Sequence, residues 1–195
     1  MADFIDEFME SYGPEVTRQM SSNLNVDRGT VQKLIPQLAP LILSGLKRQK
    51  DDQGGDARVD HILNKYGDAS VLNNINDFIA SKTNDTEADA NLGGLLGTSG
   101  GTLAAQTLSK KMNIDSSVIQ RMIPVLAPLI LGALSRKRDT TGSSGISGIG
   151  SLLDANGDGS IIDDVAGFLL RGRGTQTQTR GKGILGSLLG GILRK

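Results

Sequence analysis

Oxygen-bearing side chains stand at alternate positions in one short stretch of the chain, LLDANGDGSIIDDV, residues 152–165. Asp154, Asn156 and Asp158 have the spacing of the first three ligands of an EF-hand loop, and Gly159 stands where that loop turns sharply. Calcium is a hard cation that binds several oxygen atoms, and this spacing on a tight turn supplies them. The sequence therefore predicts one oxygen-only calcium site. Its predicted ligands are Asp154, Asn156, Asp158, the backbone carbonyl of Ser160, and Asp163 or Asp164.

The stretch departs from the EF-hand pattern at its twelfth position. An EF-hand has a bidentate Glu there, whereas this chain has Val165. We therefore expect modest affinity, with a dissociation constant on the order of 10⁻⁵ to 10⁻³ M. The alternative interpretation is an Asx-rich turn in which Asp158 or Ser160 caps a following helix, with no bound metal.

This stretch belongs to an internal duplication of the chain. Residues 25–48 align without a gap with residues 113–136, at an offset of 88, and 13 of the 24 aligned positions are identical. Residues 62–79 align with residues 152–169 at an offset of 90. Because the segments come in the same order in both halves, the sequence predicts two similar lobes that pack on each other.

The counterpart of the acidic stretch in the first half is a poorer calcium loop. Asn64, Tyr66 and Asp68 stand at the three alternate positions, and Ala69 replaces the glycine of the sharp turn. Carboxylate and amide oxygens are kept there only in part. We therefore expect at most one calcium site, in the second half.

The hydrophobic period within each half is that of an α-helix, and strand-like alternation is nearly absent. Asp27 and Asp115 stand where helix N-caps are expected. The apolar positions of the two core helices are Val31, Leu34, Ile35 and Leu38 in the first half, and Ile119, Met122, Ile123 and Leu126 in the second. The sequence therefore predicts an all-α fold.

Four prolines fall inside this helical pattern: Pro36, Pro40, Pro124 and Pro128. Each proline removes a backbone donor and its ring clashes with the preceding turn of a helix. We therefore expect each core helix to be buried and kinked, or else split into two short helices.

The predicted domain boundaries follow the repeat. Residues 1–90 form the first helical lobe, and residues 91–170 form the second. Residues 171–182 have a low-complexity composition that predicts a flexible linker. Residues 183–195 predict a short C-terminal amphipathic helix.

The C-terminal segment resembles a motif that follows the first lobe. Residues 184–190 (ILGSLLG) resemble residues 91–97 (NLGGLLG), where we expect Leu92, Leu95 and Leu96 to be buried between the lobes. We expect the C-terminal segment to bind a groove on the first lobe of another copy of the chain. Its basic residues would then meet the acidic N-terminus of that copy. The predicted interaction residues are Ile184, Leu185, Leu188, Leu189, Ile192 and Leu193.

Composition limits the classes of function. The 195 residues include 21 basic and 21 acidic ones, without the basic excess of a nonspecific nucleic-acid binder. The chain has no cysteine, so disulfides and thiolate metal sites are excluded. His61, the only histidine, stands at a predicted helix start and suggests no catalytic arrangement. The N-terminus does not match a signal peptide, and the apolar runs at residues 34–46 and 122–134 are too short to span a bilayer. We therefore expect a cytoplasmic protein that is not an enzyme.

The duplicated LAPLIL block, joined to LLDANGDGSIIDDV, resembles the bacterial family known as domain of unknown function 937. The resemblance covers the chain from about Val16 to Leu170. It implies an all-helical bacterial protein and brings no established activity.

Three functions stay open from the sequence. The first is a scaffolding protein that assembles with itself or with a protein partner, stabilised by calcium. The second is a nucleic-acid binder, because residues 108–123 have the pattern of a helix-turn-helix. The third is a peripheral membrane protein anchored by its C-terminal helix, whose apolar face has basic flanks.

Overall fold

A computed structural model describes residues 4–85, 92, 94–97 and 100–141. Within these residues the chain forms seven α-helices and one 3₁₀ helix, and they include no strand. The prediction of an all-α fold is confirmed. The elements are α1 (Phe4–Ser11), α2 (Gly13–Leu24), α3 (Arg28–Gln53), α4 (Gly55–Tyr66), the 3₁₀ helix (Ala69–Asn73), α5 (Ile75–Thr83), α6 (Gly100–Met112) and α7 (Ser116–Thr141).

The two halves repeat a helix pair with the same turn between its members. α3 and α7 are each 26 residues long, and their first and last residues are offset as the sequence alignment predicts. The turns before them contain left-handed asparagines, Asn25 with φ 53° and Asn113 with φ 54°. Asp27 accepts a hydrogen bond at 2.9 Å from the backbone N–H three residues later. Asp115 accepts one at 2.8 Å from the N–H two residues later, so the duplicated residues build similar helix starts.

The four prolines do not split the core helices. Pro36 and Pro40 lie inside α3, Pro124 and Pro128 lie inside α7, and both helices continue through them as single elements. A proline has no N–H, so the carbonyl four residues earlier lacks its usual helix donor. Burial of the surrounding apolar side chains offsets this loss, because it holds the helix in place on both sides of each proline.

The described parts of both halves share one hydrophobic core. α3 packs against α7, and α4 packs against both of them. The 3₁₀ helix packs against α7, and α5 packs against α2. α7 lies at the centre, because every one of its residues from 122 to 135 is buried except Pro128, which is half-buried. All eight predicted apolar positions of α3 and α7 are buried, which confirms the helical period.

The turn at residues 94–97 packs against the surface of α3. Leu95 and Leu96 are buried, as predicted, whereas Leu92 is half-buried. The Leu95 carbonyl accepts a hydrogen bond from Arg48 Nη2 at 2.9 Å. A Cβ atom on Gly45 would lie 2.7 Å from that carbonyl oxygen, so this position of α3 requires glycine.

The acidic N-terminal helix is part of the core. Phe4 and Phe8 of α1 are buried, and the Glu7 carboxylate pairs with the Lys137 ammonium of α7. The first helix is therefore engaged with its own chain, and only part of its acidic surface is available to steer another copy.

Candidate functional site

The residues that the sequence singled out for metal binding and for interaction lie outside the described part of the chain. The calcium site and the C-terminal interaction segment therefore stay predictions. The residues concerned are Asp154, Asn156, Asp158, Ser160, Asp163, Asp164, Ile184, Leu185, Leu188, Leu189, Ile192 and Leu193. The predicted linker at residues 171–182 also lies outside.

The first-half counterpart of the acidic stretch is described, and it is a capping turn. Asp68 Oδ1 accepts a hydrogen bond at 2.8 Å from the Ser70 backbone N–H, and Oδ2 accepts one at 2.8 Å from the Ser70 hydroxyl. These two hydrogen bonds lower the pKa of the Asp68 carboxyl, the backbone bond being the larger cause. The turn starts the 3₁₀ helix, so this copy adopts the capping arrangement given above as the alternative to calcium binding.

Two arginines of α7 hold this turn. Arg136 Nη2 donates to Asn73 Oδ1 at 2.9 Å, and Arg138 Nη2 donates to Asn64 Oδ1 at 3.1 Å. Arg138 Nη1 also pairs with Asp60 Oδ1 at 3.2 Å. We call these contacts the arginine clamp. Side-chain oxygens that correspond to predicted calcium ligands in the second half therefore accept from guanidinium groups in the first.

The main cavity of interest lies between α4, α5, the turn at residues 94–97 and α7, and we call it the cationic pocket. Its volume is about 410 Å³, within the range of sites that hold small ligands or a few side chains. Its floor is apolar and is formed mainly by Pro124, Ala127, Pro128 and Leu131 of α7, with Ile62, Leu92 and Leu95 beside them. Its rim is formed by Arg58, His61, Lys65, Tyr66, Lys82 and Asp85, and Gln49 also lines the pocket.

The rim carries an excess of positive charge. Arg58, Lys65 and Lys82 are cations at neutral pH, and Asp85 is the single carboxylate among the described lining residues. Lys82 Nζ lies 3.5 Å from Asp85 Oδ2, a long surface ion pair of small energetic value. The pocket is therefore suited to a group that is acidic at one end and apolar at the other.

Two contacts fix the orientation of rim side chains. Arg58 Nε donates to Gln49 Oε1 at 3.0 Å, and the Gln49 side chain is itself largely buried. Lys65 Nζ lies 5.2 Å from the centroid of the Tyr66 ring, within cation–π range. Tyr66 is 49% exposed, so an aromatic surface lies beside the charged rim. A fixed guanidinium loses less entropy when it binds an anion.

The prolines of α7 also affect the pocket. Pro128 has no N–H, so the Pro124 carbonyl lacks its usual helix donor, and both prolines line the floor. The rings of both prolines therefore add to the apolar surface of the floor.

Sequence spacing alone groups part of the pocket rim. Arg58, His61 and Lys65 follow the three- and four-residue spacing of one helix face. The expectation that His61 stands at a helix start was wrong, because it lies in the middle of α4 and its side chain is exposed at the rim. Lys82 and the floor residues are distant in sequence, and only the packing of α5 and α7 brings them there.

The described helices define a duplicated, all-helical protein whose repeats share a core. The chain belongs to a bacterial family of proteins of unknown function, DUF937, whose family model matches residues 6–137 and 137–194. The family model therefore matches the chain in two consecutive segments. Comparisons with curated proteins and with solved structures gave no match.

One helix in the described part of the chain is long and apolar enough to cross a membrane. It is α7, over residues 116–140, and 72% of its most apolar window is buried inside the fold. The core helix of a globular fold has the same properties, so this observation is weak evidence for a membrane span.

Proposed function

We propose that this protein is a non-enzymatic helical scaffold that binds an acidic, apolar segment of a protein partner, which can be another copy of itself. The observation that carries the proposal is the cationic pocket. Carboxylates of the partner would pair with Arg58, Lys65 and Lys82, while apolar side chains would cover the α7 floor.

The burial of α7 favours binding of a protein segment over sequence recognition of nucleic acid. In a helix-turn-helix the second helix enters the major groove with one face. α7 would be that helix, and its residues from 122 to 135 are enclosed by other helices apart from half-buried Pro128. Only its first turns would be available to bases.

Calcium and the C-terminal segment belong to the same proposal. Calcium bound at residues 154–164 would stabilise the second half, because a ligand that binds only the folded state raises its stability. The apolar residues at 184–193, which the sequence predicts as interaction residues, would provide a second contact with the partner.

Fluorescence anisotropy with a labelled peptide tests the proposal. The probe is an amphipathic peptide of Glu, Leu and Ala, and it is titrated with the full-length chain. We expect saturable binding that weakens as salt is added, because the rim charges are exposed and screened. The double variant Arg58→Glu/Lys82→Glu should weaken binding about tenfold or more, since like charges then face each other.

The matched control is Arg28→Glu/Lys110→Glu. Both residues are exposed and neither lines the pocket. Because this variant also replaces two basic residues with Glu, it changes the net charge by the same amount. We expect this control to bind the probe nearly as the wild type does. Equal weakening by both double variants would show that only overall charge matters and would contradict a pocket-specific function.

A further inference from the structure

Two cations of the pocket rim stand in a row along α4. Arg58 and Lys65 are seven residues apart, so they lie on the same face of the helix, about 10.5 Å apart along its axis. His61 lies between them on this face and also lines the rim. One edge of the pocket therefore carries positive charges at a spacing of two helical turns.

Neither of these two cations has an acidic partner among the described residues. Arg58 Nε donates to the neutral amide oxygen of Gln49 at 3.0 Å. Lys65 Nζ lies 5.2 Å from the centroid of the Tyr66 ring, which carries no charge at neutral pH. Both positive charges can therefore pair with carboxylates of a partner.

The acidic residues of α4 near this row pair with other helices. Asp56 pairs with Lys50 of α3 at 2.8 Å, and Asp60 pairs with Arg138 of α7 at 3.2 Å. Each of these acids is two residues from Arg58, which places it about 200° around the helix and away from the rim. The helix that carries the row therefore does not neutralise it.

The floor of the pocket favours a helical partner over an extended one. Its central part consists of side chains of the single helix α7, and the described part of the chain has no strand edge with which an extended segment could pair. A segment that covers an apolar floor must satisfy its own backbone N–H and C=O groups, and a helix does so internally.

We infer that the partner segment is an amphipathic helix with two carboxylates seven residues apart and apolar side chains at the third and fourth positions between them. This inference rests on the proposed function. Two helices that lie side by side rise equally per residue, so both carboxylates reach Arg58 and Lys65 at once. The four positions share one face of the partner helix, and the apolar pair covers the floor. The pattern is the same in both chain directions.

Two labelled peptides of identical composition test this spacing with the full-length chain. Both contain two Glu and two adjacent Leu, with Ala and Gln elsewhere, and their Glu residues are seven residues apart in one and five in the other. At a spacing of five the carboxylates lie about 140° apart around the helix, so only one can reach the row. Loss of one exposed ion pair should raise the Kd measured by anisotropy about threefold.

Matched variants of the chain test whether the second carboxylate meets the row. Lys65→Gln keeps a long polar side chain but removes the charge, so the two peptides should then bind with equal Kd. Arg28→Gln removes an exposed cation that does not line the pocket, and the threefold ratio should persist. A ratio that also survives Lys65→Gln would contradict the pairing.

A third peptide tests the helical conformation. It keeps the seven-residue spacing, but proline replaces one residue on its outward face between the two Glu residues. Because proline inside a helix costs about 3 kcal/mol, we expect Kd to rise tenfold or more. An unchanged Kd would show that the segment binds in an extended conformation and would overturn the helical partner.

The peptides also separate the two levels of the proposal. Equal binding of the peptides with spacings of seven and five to the unaltered chain would overturn the inferred pattern while leaving the proposed function in place. Absence of binding by every peptide would overturn the proposed function and this inference with it.

Discussion

Gly67, in the turn between α4 and the 3₁₀ helix, and Gly132 of α7 both lie where this turn meets α7. A Cβ atom on Gly67 would lie 2.6 Å from Ser135 Oγ, and one on Gly132 would lie 2.8 Å from the Asp68 carbonyl oxygen. Neither contact is tolerable for a side chain without a shift of helix or loop. The two elements can therefore approach this closely only because neither glycine carries a Cβ atom.

Replacing Gly132 with alanine tests this dependence. We expect Gly132→Ala to lower the free energy of unfolding by about 1–3 kcal/mol, because the added methyl group overpacks a buried contact. Denaturant unfolding measures the change. The control is Ser44→Ala at the corresponding position of α3, which should change stability by less than about 0.5 kcal/mol. Equal effects would contradict the close approach at Gly132.

Two capping carboxylates predict a dependence of stability on pH. Hydrogen bonds from the Ser70 and Ser117 backbone N–H groups lower the pKa of Asp68 and of Asp115 in the folded state. A carboxyl with a lowered folded pKa stabilises the fold above its unfolded pKa, and this stability is lost as the pH falls through the folded pKa.

We therefore expect Tm to fall as the pH is lowered from about 5 to about 2, across the range where these carboxylates gain protons. The double variant Asp68→Asn/Asp115→Asn keeps an oxygen acceptor at each cap but does not titrate. Its Tm should fall less steeply over the same range. An identical slope for both proteins would mean that other carboxylates cause the acid sensitivity.

Those features of the helices that depend only on neighbouring residues could be predicted from the sequence. Asp27 and Asp115 cap α3 and α7 as expected, because N-capping depends on neighbouring residues only. The prolines left two predictions open, a single kinked helix or two short helices, because local sterics do not decide between them. Burial on both sides of the prolines keeps α7 a single helix. The clamp was not predictable, because Arg138 and Asn64 are far apart in sequence.

The arginine clamp predicts a loss of stability when one arginine is removed. Arg138→Ala should cost about 1–2 kcal/mol, because it removes hydrogen bonds to Asn64 and Asp60 from a half-buried side chain. Arg121→Ala, an exposed arginine on the same helix, is the control and should cost less than about 0.5 kcal/mol. Similar losses from both variants would show that the clamp adds little to the packing of the 3₁₀ helix.

Across the described part of the chain, elements of the first half pack on the core helix of the second half. Helices that follow α3 pack on α7, and the cationic pocket lies at this junction, with its rim on α4 and α5 and its floor on α7. Sequence periodicity identifies helices but not which of them meet. For this reason the sequence spacing places Arg58 and Lys65 on one helix face. It does not show that Lys82 or the floor residues Pro124–Leu131 lie next to them.

The chain offers a direct reporter for the proposed binding site. It contains no tryptophan, and Tyr66 stands half-exposed on the pocket rim. Tyr66→Trp therefore places one fluorophore beside the rim cations, where an apolar partner segment would cover it.

Tryptophan emission of the Tyr66→Trp chain, titrated with the Glu, Leu and Ala peptide, tests whether the partner binds in the cationic pocket. We predict a blue shift that saturates together with the anisotropy of the peptide. When Arg58→Glu/Lys82→Glu is added to the same chain, saturation should need about tenfold or more higher peptide concentration. Saturable binding of the peptide with unchanged emission would show that the partner binds elsewhere and would contradict binding at the cationic pocket.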